Sequence, residues 1–281
     1  MNKVVAKDLD HLKVLVANEI KNNGLRCSLN HIDVSNITDM SALFYRSDFN
    51  GDISQWDVSN VKYMNKMFED SLFNGDISGW NVSKVTSMRN MFSGSRFNCD
   101  ISEWDTSSLF NMDGLFQNSR FNCDISKWNV SNVTCMRAVF RNSRFNGDIS
   151  DWDVHNVVDM HAMFCGSVFN GELGFWNVCN VKDMGYMFFG SKFNKDISFW
   201  NVSSVIDMGH MFSESKFNGD ISAWDVGNAV YMSHIFENSE FSGDISCWNF
   251  NKVVEMGYMF FGSKCSSDIS SWRYHAFNCV N

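Results

Sequence analysis

Residues 49–68 read FNGDISQWDVSNVKYMNKMF, and close variants of this stretch follow one another along the chain. Tryptophan marks the repeat, because all ten tryptophans lie 24 residues apart, at positions 56, 80, 104, 128, 152, 176, 200, 224, 248 and 272. A methionine and a phenylalanine stand at constant distances before each of them. A constant period of this length indicates units that cannot bury an apolar face alone and therefore stack around a shared core.

Two periodicities inside each repeat predict its local structure. Trp80 and Val82 alternate with polar Asn81, as in a short strand with one buried face. From Val85 to Phe92, apolar residues lie three and four apart, which is typical of one face of a short helix. Ser-Asn pairs before such segments suit a helix N-cap.

These patterns predict an α/β solenoid, a stack of about ten coils. We expect the stack to be right-handed, because connections between parallel strands are almost always right-handed. We expect a parallel sheet on one face of the stack and short helices or 3₁₀ turns on the other.

Polar residues also recur in rows. An asparagine six residues before the tryptophan, from Asn50 to Asn218, predicts a ladder of amides that satisfies backbone groups at a corner. Four residues before the tryptophan the chain is acidic in every repeat, from Asp52 to Asp268. Such a row requires either local Asx turns, which we favour, or bound cations. The Asp or Asn after each tryptophan from Trp56 to Trp248 is expected to form an outward-facing row on the sheet.

The ends of the repeat array differ from its middle. Residues 1–30 are predicted to form an N-terminal cap, with an amphipathic helix over 6–23 that turns Leu9, Leu12, Val16 and Ile20 to one side. Gly24 suits the end of that helix. Residues 31–272 form the predicted repeat solenoid, and residues 273–281 form a short tail. A weakly covered C-terminal edge is available for end-to-end self-association.

Composition limits the function classes. The net charge of −9 disfavours nucleic acid as a partner, and the absence of proline suits a chain that uses its backbone N–H groups for stacking. No apolar stretch is long enough to span a membrane, and no signal-peptide core is visible. An intracellular or virion-associated location is therefore expected rather than the cell surface. The nine cysteines are expected to be thiols, although Cys99 and Cys123 share one row and could form a disulfide if oxidised.

The string at residues 49–61 and 145–157, followed by Met-x-x-Met-Phe, resembles the repeat domain of mycoplasma-type surface proteins, the "bacterial surface protein" repeat. Similar repeats occur in large DNA viruses, and the resemblance covers about residues 32–272. The family is classed as a domain of unknown function, has no established enzymatic activity and is similar to leucine-rich repeats. The resemblance thus implies a leucine-rich-repeat-like solenoid that binds proteins.

No catalytic motif stands out, and we expect neither enzymatic activity nor a cofactor. His161 and Cys165 lie four apart on a predicted helix, and His210 and His234 share a row. Two ligands do not make a metal site, so no metal is expected.

Three irregular surface features are candidate binding sites. A basic row lies eight residues before the tryptophan: Arg96, Arg120, Arg144, Lys192, Lys216 and Lys264. It either neutralises the acidic row or docks an acidic protein surface or phosphates. Phe175 and Phe199 precede tryptophans in adjacent repeats, where the rings either stack as a binding anchor or fold against the corners. Phe189 and Phe261 replace mostly polar residues and enlarge an apolar patch.

The sequence therefore favours a non-enzymatic protein-interaction module. The alternative is a structural component of a virus particle or surface layer, which would need only exposed ends and edges. An enzyme on a solenoid is a third reading, and it would require clustered carboxylates with perturbed pKa values.

Overall fold

The computed structural model describes residues 3–265, and in it consecutive repeats lie side by side. Parallel backbone bridges join residues 24 apart in an unbroken series that starts at Asp39↔Tyr63 and ends at Tyr231↔Glu255. A single apolar core runs through these repeats, from Ala6 to Met259. The chain is thus a repeat fold with a small parallel sheet and few helices.

The N-terminal segment contains one helix and two short strands, whereas the repeats are joined by isolated bridges. It comprises β1 (Val4–Val5), α1 (Leu9–Asn23) and β2 (Ile32–Asp33), and β1 pairs in parallel with β2. Among residues 3–265, α1 is the only helix.

Helix α1 confirms the predicted amphipathic segment, although it begins three residues later than expected. The Asp8 side chain accepts a hydrogen bond from the His11 N–H at its start, and Gly24 ends it with φ +86°. Leu12 and Val16 are buried and belong to the same core as the repeats. The further division into cap, solenoid and tail stays a prediction, and the tail lies outside the described residues.

The predicted strand around each tryptophan is wrong. The Trp80 N–H donates to the Ile77 carbonyl at 3.1 Å, and the Val85 N–H donates to the Val82 carbonyl at 2.8 Å. Two successive tight turns therefore occupy this segment. Each turn buries its first and last residues and exposes the polar ones between, which produces the apolar–polar alternation without a strand.

The bridges lie instead in the segment predicted as helical, and the helix prediction is also wrong. The Met88 and Asn90 N–H groups donate to carbonyls of the next repeat, at Asn111 and Asp113, with distances of 3.0 and 2.7 Å. The Met91 N–H closes a turn on the Met88 carbonyl. A helix would use these groups within its own segment, whereas here every second amide bonds between repeats.

We call this segment, residues 88–94 and their equivalents in the other repeats, the run of turns. It contains residues with left-handed backbone conformation at regular positions. Asn90 has φ +54° and Gly94 has φ +64°, and the equivalent residues of the other repeats behave alike. A positive φ at the third position is the feature of a type II turn. The Ser-Asn pairs are not helix caps either, because no helix follows them within residues 3–265. The Asn60 side-chain amide instead donates to the Ser35 carbonyl of the preceding repeat at 2.9 Å.

Aromatic side chains form continuous columns in the core. Phe68 and Phe92 stack with centroids 5.7 Å apart, and Phe68 also stacks on Phe73 of its own repeat at 4.4 Å. Every tryptophan from Trp56 to Trp248 is buried. Each donates its indole N–H to a carbonyl of the preceding repeat, as Trp128 does to Ile101 at 3.0 Å, so that burial leaves no indole donor unsatisfied.

The predicted polar rows are confirmed with two changes. The Asn74 N–H donates to Asn50 Oδ1 at 2.8 Å, and this amide ladder continues to Ser242. Asp76 Oδ1 accepts the Ser78 N–H at 2.9 Å, which is an Asx turn. Glu172 breaks that pattern and pairs with Lys195. The row after tryptophan faces outward as expected but also forms Asx turns, because the sheet lies elsewhere.

We predict that Trp128→Phe will lower the free energy of unfolding by about 1 kcal/mol for the lost indole hydrogen bond, and further for the cavity left by the smaller ring. Urea denaturation followed by circular dichroism measures this loss. Lys127→Ala is the matched control, because Lys127 is the exposed neighbour and its ion pair is with exposed Glu103. Equal stability of the two variants would contradict the structural role of the indole N–H.

We also predict that the melting temperature will fall as the pH is lowered below about 4. Backbone hydrogen bonds from the following serines lower the pKa of the acidic-row carboxyls, among them Asp76 and Asp148. The unfolded chain then takes up protons first, so the stabilisation present above the unfolded pKa disappears as the pH falls through the folded pKa. Burial raises the pKa of Asp113 and Asp207, which act oppositely but are outnumbered.

Asp76→Asn serves as the control for this pH dependence, since an amide oxygen accepts the same N–H bond but does not titrate. The variant should show a shallower decline in melting temperature. A melting temperature that is the same at pH 3 and pH 6 would refute this account of the acidic row.

Candidate functional site

The segment that carries the bridges also presents a group of titratable and aromatic side chains. In each repeat, its run of turns places one left-handed residue 14 positions before the tryptophan. In four successive repeats this residue is Tyr186, His210, His234 and Tyr258, which we call the His–Tyr column. Because the backbones are held in register by hydrogen bonds, the four side chains must lie one above another.

The rings of the His–Tyr column stack along their whole length. The centroids of Tyr186 and His210 are 4.4 Å apart, those of the two histidines 4.3 Å, and those of His234 and Tyr258 5.1 Å. The two imidazole planes differ by 5°. Stacked rings of this kind expose a continuous aromatic edge on the surface.

The predicted patch formed by Phe189 and Phe261 lies beside this column. Phe189 packs against Tyr186 with centroids 5.7 Å apart, and Phe261 meets Tyr258 edge-on at 5.9 Å. The predicted helical side does not exist, but the two phenylalanines do enlarge an aromatic surface.

The two histidines of the column have different partners. His234 Nδ1 lies 2.8 Å from Glu237 Oε2. His210 Nδ1 is buried and has no hydrogen-bond partner. Burial, and then the neighbouring His234, lowers the pKa of His210, so its imidazole is neutral at physiological pH. The other suggested pair, His161 and Cys165, rested on a helix that is absent, and His161 pairs with Asp183 instead.

Three aspartates hold successive bridge positions, and we call them the carboxylate row: Asp159, Asp183 and Asp207. Asp207 lies beside Tyr186 and His210 of the column. Arg137 Nη1 lies 2.8 Å from Asp159 and 3.7 Å from Asp183. The Gly185 and Gly209 N–H groups donate to the second and third aspartates of this row, at 2.9 and 2.8 Å. These side chains are therefore oriented by backbone groups as well as by one guanidinium.

The aspartates of the carboxylate row differ in acidity. Burial raises the pKa of Asp207, and the nearby Asp183 charge adds to this. Burial also opposes ionisation of Asp183, but hydrogen bonds from His161 and the Gly185 amide, together with Arg137, lower the pKa below its ordinary value. Asp207 lines a shallow hollow of about 300 Å³ together with Tyr186, His210, Tyr231 and Glu255. Such a surface suits contact with a polar or cationic group.

The structure places Phe175 and Phe199 on the surface, where their exposed fractions are 93% and 84%. Each lies inside a tight turn that ends at the next tryptophan, and the turn directs the ring outward. Between these two residues there is no ring contact. The rings therefore neither stack on each other nor fold against the corners, the two arrangements expected from the sequence.

The basic row is exposed along its described length. Lys216 forms an ion pair with Glu240, which holds the equivalent position in the next repeat. Within residues 3–265, Arg96, Arg120, Arg144 and Lys192 form no ion pair with the acidic row. The expected neutralisation of the acidic row by these cations is therefore not seen.

Cys99 and Cys123 are free thiols, each directed at a backbone carbonyl of the preceding repeat at 3.3 Å. Burial raises the pKa of both thiols, which lowers their reactivity. Their pairing as a disulfide stays a prediction.

The sequence analysis placed His210 and His234 in one row, but it missed the tyrosines that flank them in the His–Tyr column and it missed the carboxylate row. The signal was present, because Tyr186, His210, His234 and Tyr258 are separated by the repeat period. The sequence analysis predicted a helix here, whereas the backbone hydrogen bonds of this segment join Tyr186, His210 and His234 to the next repeat.

Comparison with protein-family models gives three overlapping matches, over residues 15–120, 93–192 and 166–272. The matching family is described as Mycoplasma protein of unknown function, DUF285. The chain belongs to the DUF285 family. The matches extend along nearly all of the repeats, which agrees with the stacked DUF285 units seen in the structure.

Neither curated proteins nor solved structures yielded a significant match. Over residues 3–265, this DUF285 chain has no helix that is long and apolar enough to cross a membrane.

We predict that His161→Ala will raise the pKa of Asp183. The variant removes one hydrogen bond and one positive charge that favour the ionised carboxylate, so the effect of burial is less opposed. Carbon-13 NMR titration of the aspartate carboxyls measures the change. His155→Ala is the control, since His155 pairs with Asp153 at 2.7 Å and not with the carboxylate row. An unchanged Asp183 titration in His161→Ala would contradict the assigned contact.

Proposed function

We propose that this chain is a non-enzymatic protein-interaction module, built as a right-handed, leucine-rich-repeat-like solenoid of about ten coils. The observation that carries the proposal is the exposure of Phe175 and Phe199 in adjacent repeats, at 93% and 84%. Neither ring contributes to the core, so the fold does not account for them. Other residues at this position are mostly small or polar, for example Gly79, Lys127 and Ala223.

Burying such rings against a partner is energetically favourable. Full burial of a phenylalanine side chain contributes about 1.5–3 kcal/mol, and aromatic anchors are common among residues that dominate interfaces. The backbone on each side of the two rings is held by tight turns and by buried Trp176 and Trp200. Little conformational freedom of the backbone is then lost on binding, which favours affinity.

The basic row offers a second contact surface. Arg96, Arg120, Arg144 and Lys192 are exposed and have no ion-pair partner within residues 3–265. Their regular spacing suits an acidic protein surface, where charge complementarity increases the rate of association and the specificity. The net charge of the chain is negative, which argues against nucleic acid as the main partner.

The test compares the double variant Phe175→Ser/Phe199→Ser with wild type in affinity capture from native cells, read by quantitative mass spectrometry. Proteins held through the two rings should be depleted at least about tenfold, because the loss of 1.4 kcal/mol alone has that effect. Ala223→Ser is the matched control, since Ala223 occupies the same position in the repeat after Phe199.

Capture that is identical for wild type and the double variant would refute this choice of site. If the depleted protein is the chain itself, the result instead supports the structural-component alternative, which predicts self-association. Turnover in a broad hydrolase screen would contradict the non-enzymatic assignment.

A further inference from the structure

We propose that His210, His234 and Glu237 form a binding site for a divalent transition-metal ion of the zinc class. Among residues 3–265, these three side chains are the group of histidine, cysteine or carboxylate ligands that comes close enough together to hold an ion. Their ligand atoms all lie within 4.8 Å of one another. The site does not involve Phe175, Phe199 or the basic row, so it is independent of the proposed interaction surface.

The repeat architecture brings the two histidines together. They occupy the same position of adjacent repeats, and the His210 N–H donates to the Ser233 carbonyl at 2.9 Å, which holds the two backbones in register. The imidazoles consequently stack with centroids 4.3 Å apart. Glu237 lies three residues after His234 on the same run of turns, and its N–H donates to the His234 carbonyl at 3.1 Å.

The donor set matches the chemistry of zinc. Imidazole nitrogen and carboxylate oxygen are both common zinc ligands, and two histidines with one glutamate leave the fourth tetrahedral position open to water. His210 supplies a nitrogen that is otherwise buried without a hydrogen-bond partner. An unsatisfied buried polar atom is unfavourable, and coordination by this imidazole would relieve that cost.

Glu237 also orients His234. Its Oε2 lies 2.8 Å from His234 Nδ1, and an ion bound by both of these atoms replaces the proton that they share. The His234 and Glu237 side chains keep 27% and 23% of their surface exposed, so an ion has access from solvent.

Binding requires a modest rearrangement of side chains. Zinc–nitrogen bonds of about 2.0–2.1 Å hold tetrahedral ligand atoms roughly 3.3 Å apart, closer than the present limit of 4.8 Å. The lone pairs of parallel rings do not converge, so one imidazole must tilt. His210 is able to tilt because no hydrogen bond holds its Nδ1, whereas His234 is held by Glu237.

The test is isothermal titration of the full chain with zinc chloride in chelator-free buffer. Wild type should bind one equivalent of zinc. The single variants His210→Phe and His234→Phe should lose at least about tenfold in affinity, because a loss of that size follows even when only a hydrogen-bond partner of a metal ligand is changed. Phenylalanine keeps a flat ring in the stack, so the fold and the column are preserved while the ligand nitrogen is removed.

His31→Phe is the matched control. His31 pairs with Glu19 at 3.3 Å and therefore offers a histidine–carboxylate pair without a second imidazole. Its zinc binding should equal that of wild type. Replacement of zinc by cobalt(II) gives a second readout, since a tetrahedral cobalt absorption should appear in wild type and be absent from His234→Phe.

Two outcomes would overturn the proposal. Wild type that binds no zinc shows that the histidines serve only as members of the aromatic stack. Binding that weakens equally in His31→Phe and His234→Phe shows adventitious coordination by surface histidines. A circular dichroism melt of each variant verifies that a loss of binding does not come from unfolding.

Discussion

Hydrogen bonds between backbone groups of consecutive repeats are the constraint on which the rest of the structure depends. Every second amide in the run of turns, for example those of Met88 and Asn90, donates to the next repeat. A buried backbone group without a partner is costly, so the register between repeats cannot slip without breaking the whole ladder. This explains why the 24-residue spacing of tryptophan is invariant along the chain. It also explains how non-glycine residues with positive φ, such as Asn90, are tolerated.

A strict register has a chemical consequence at the surface. Residues at the same position of successive repeats form a row, in which neighbouring side chains are separated by the distance between parallel backbones, about 4.8 Å. Rows of aspartate persist because each carboxylate accepts a backbone N–H, as Asp76 does from Ser78. Aromatic residues and histidines in a row must stack, as His210 and His234 do. A local deviation from the consensus therefore creates an extended surface feature once it recurs in two neighbouring repeats.

Sequence patterns located the buried residues better than they located the hydrogen bonds. Trp80, Val82, Val85, Met88 and Phe92 are all buried as expected. The assigned strand and helix were wrong, because tight turns can bury residues two, three or four positions apart just as strands and helices do. The Asn ladder and the Asx turns were predicted correctly, since both depend on side chains that bond to backbone groups at a short, constant separation.

By itself, the sequence determined that the chain is a stack of equivalent units, that aromatic and thioether side chains form its core, and that polar rows satisfy its corners. Only the tertiary structure decided where the inter-repeat ladder runs, and hence which surface positions meet. That choice depends on which backbone groups find partners in the next repeat, and a one-dimensional pattern of apolar residues does not contain this information. The same choice brought the His–Tyr column beside Glu237 and left Phe175 and Phe199 in solvent.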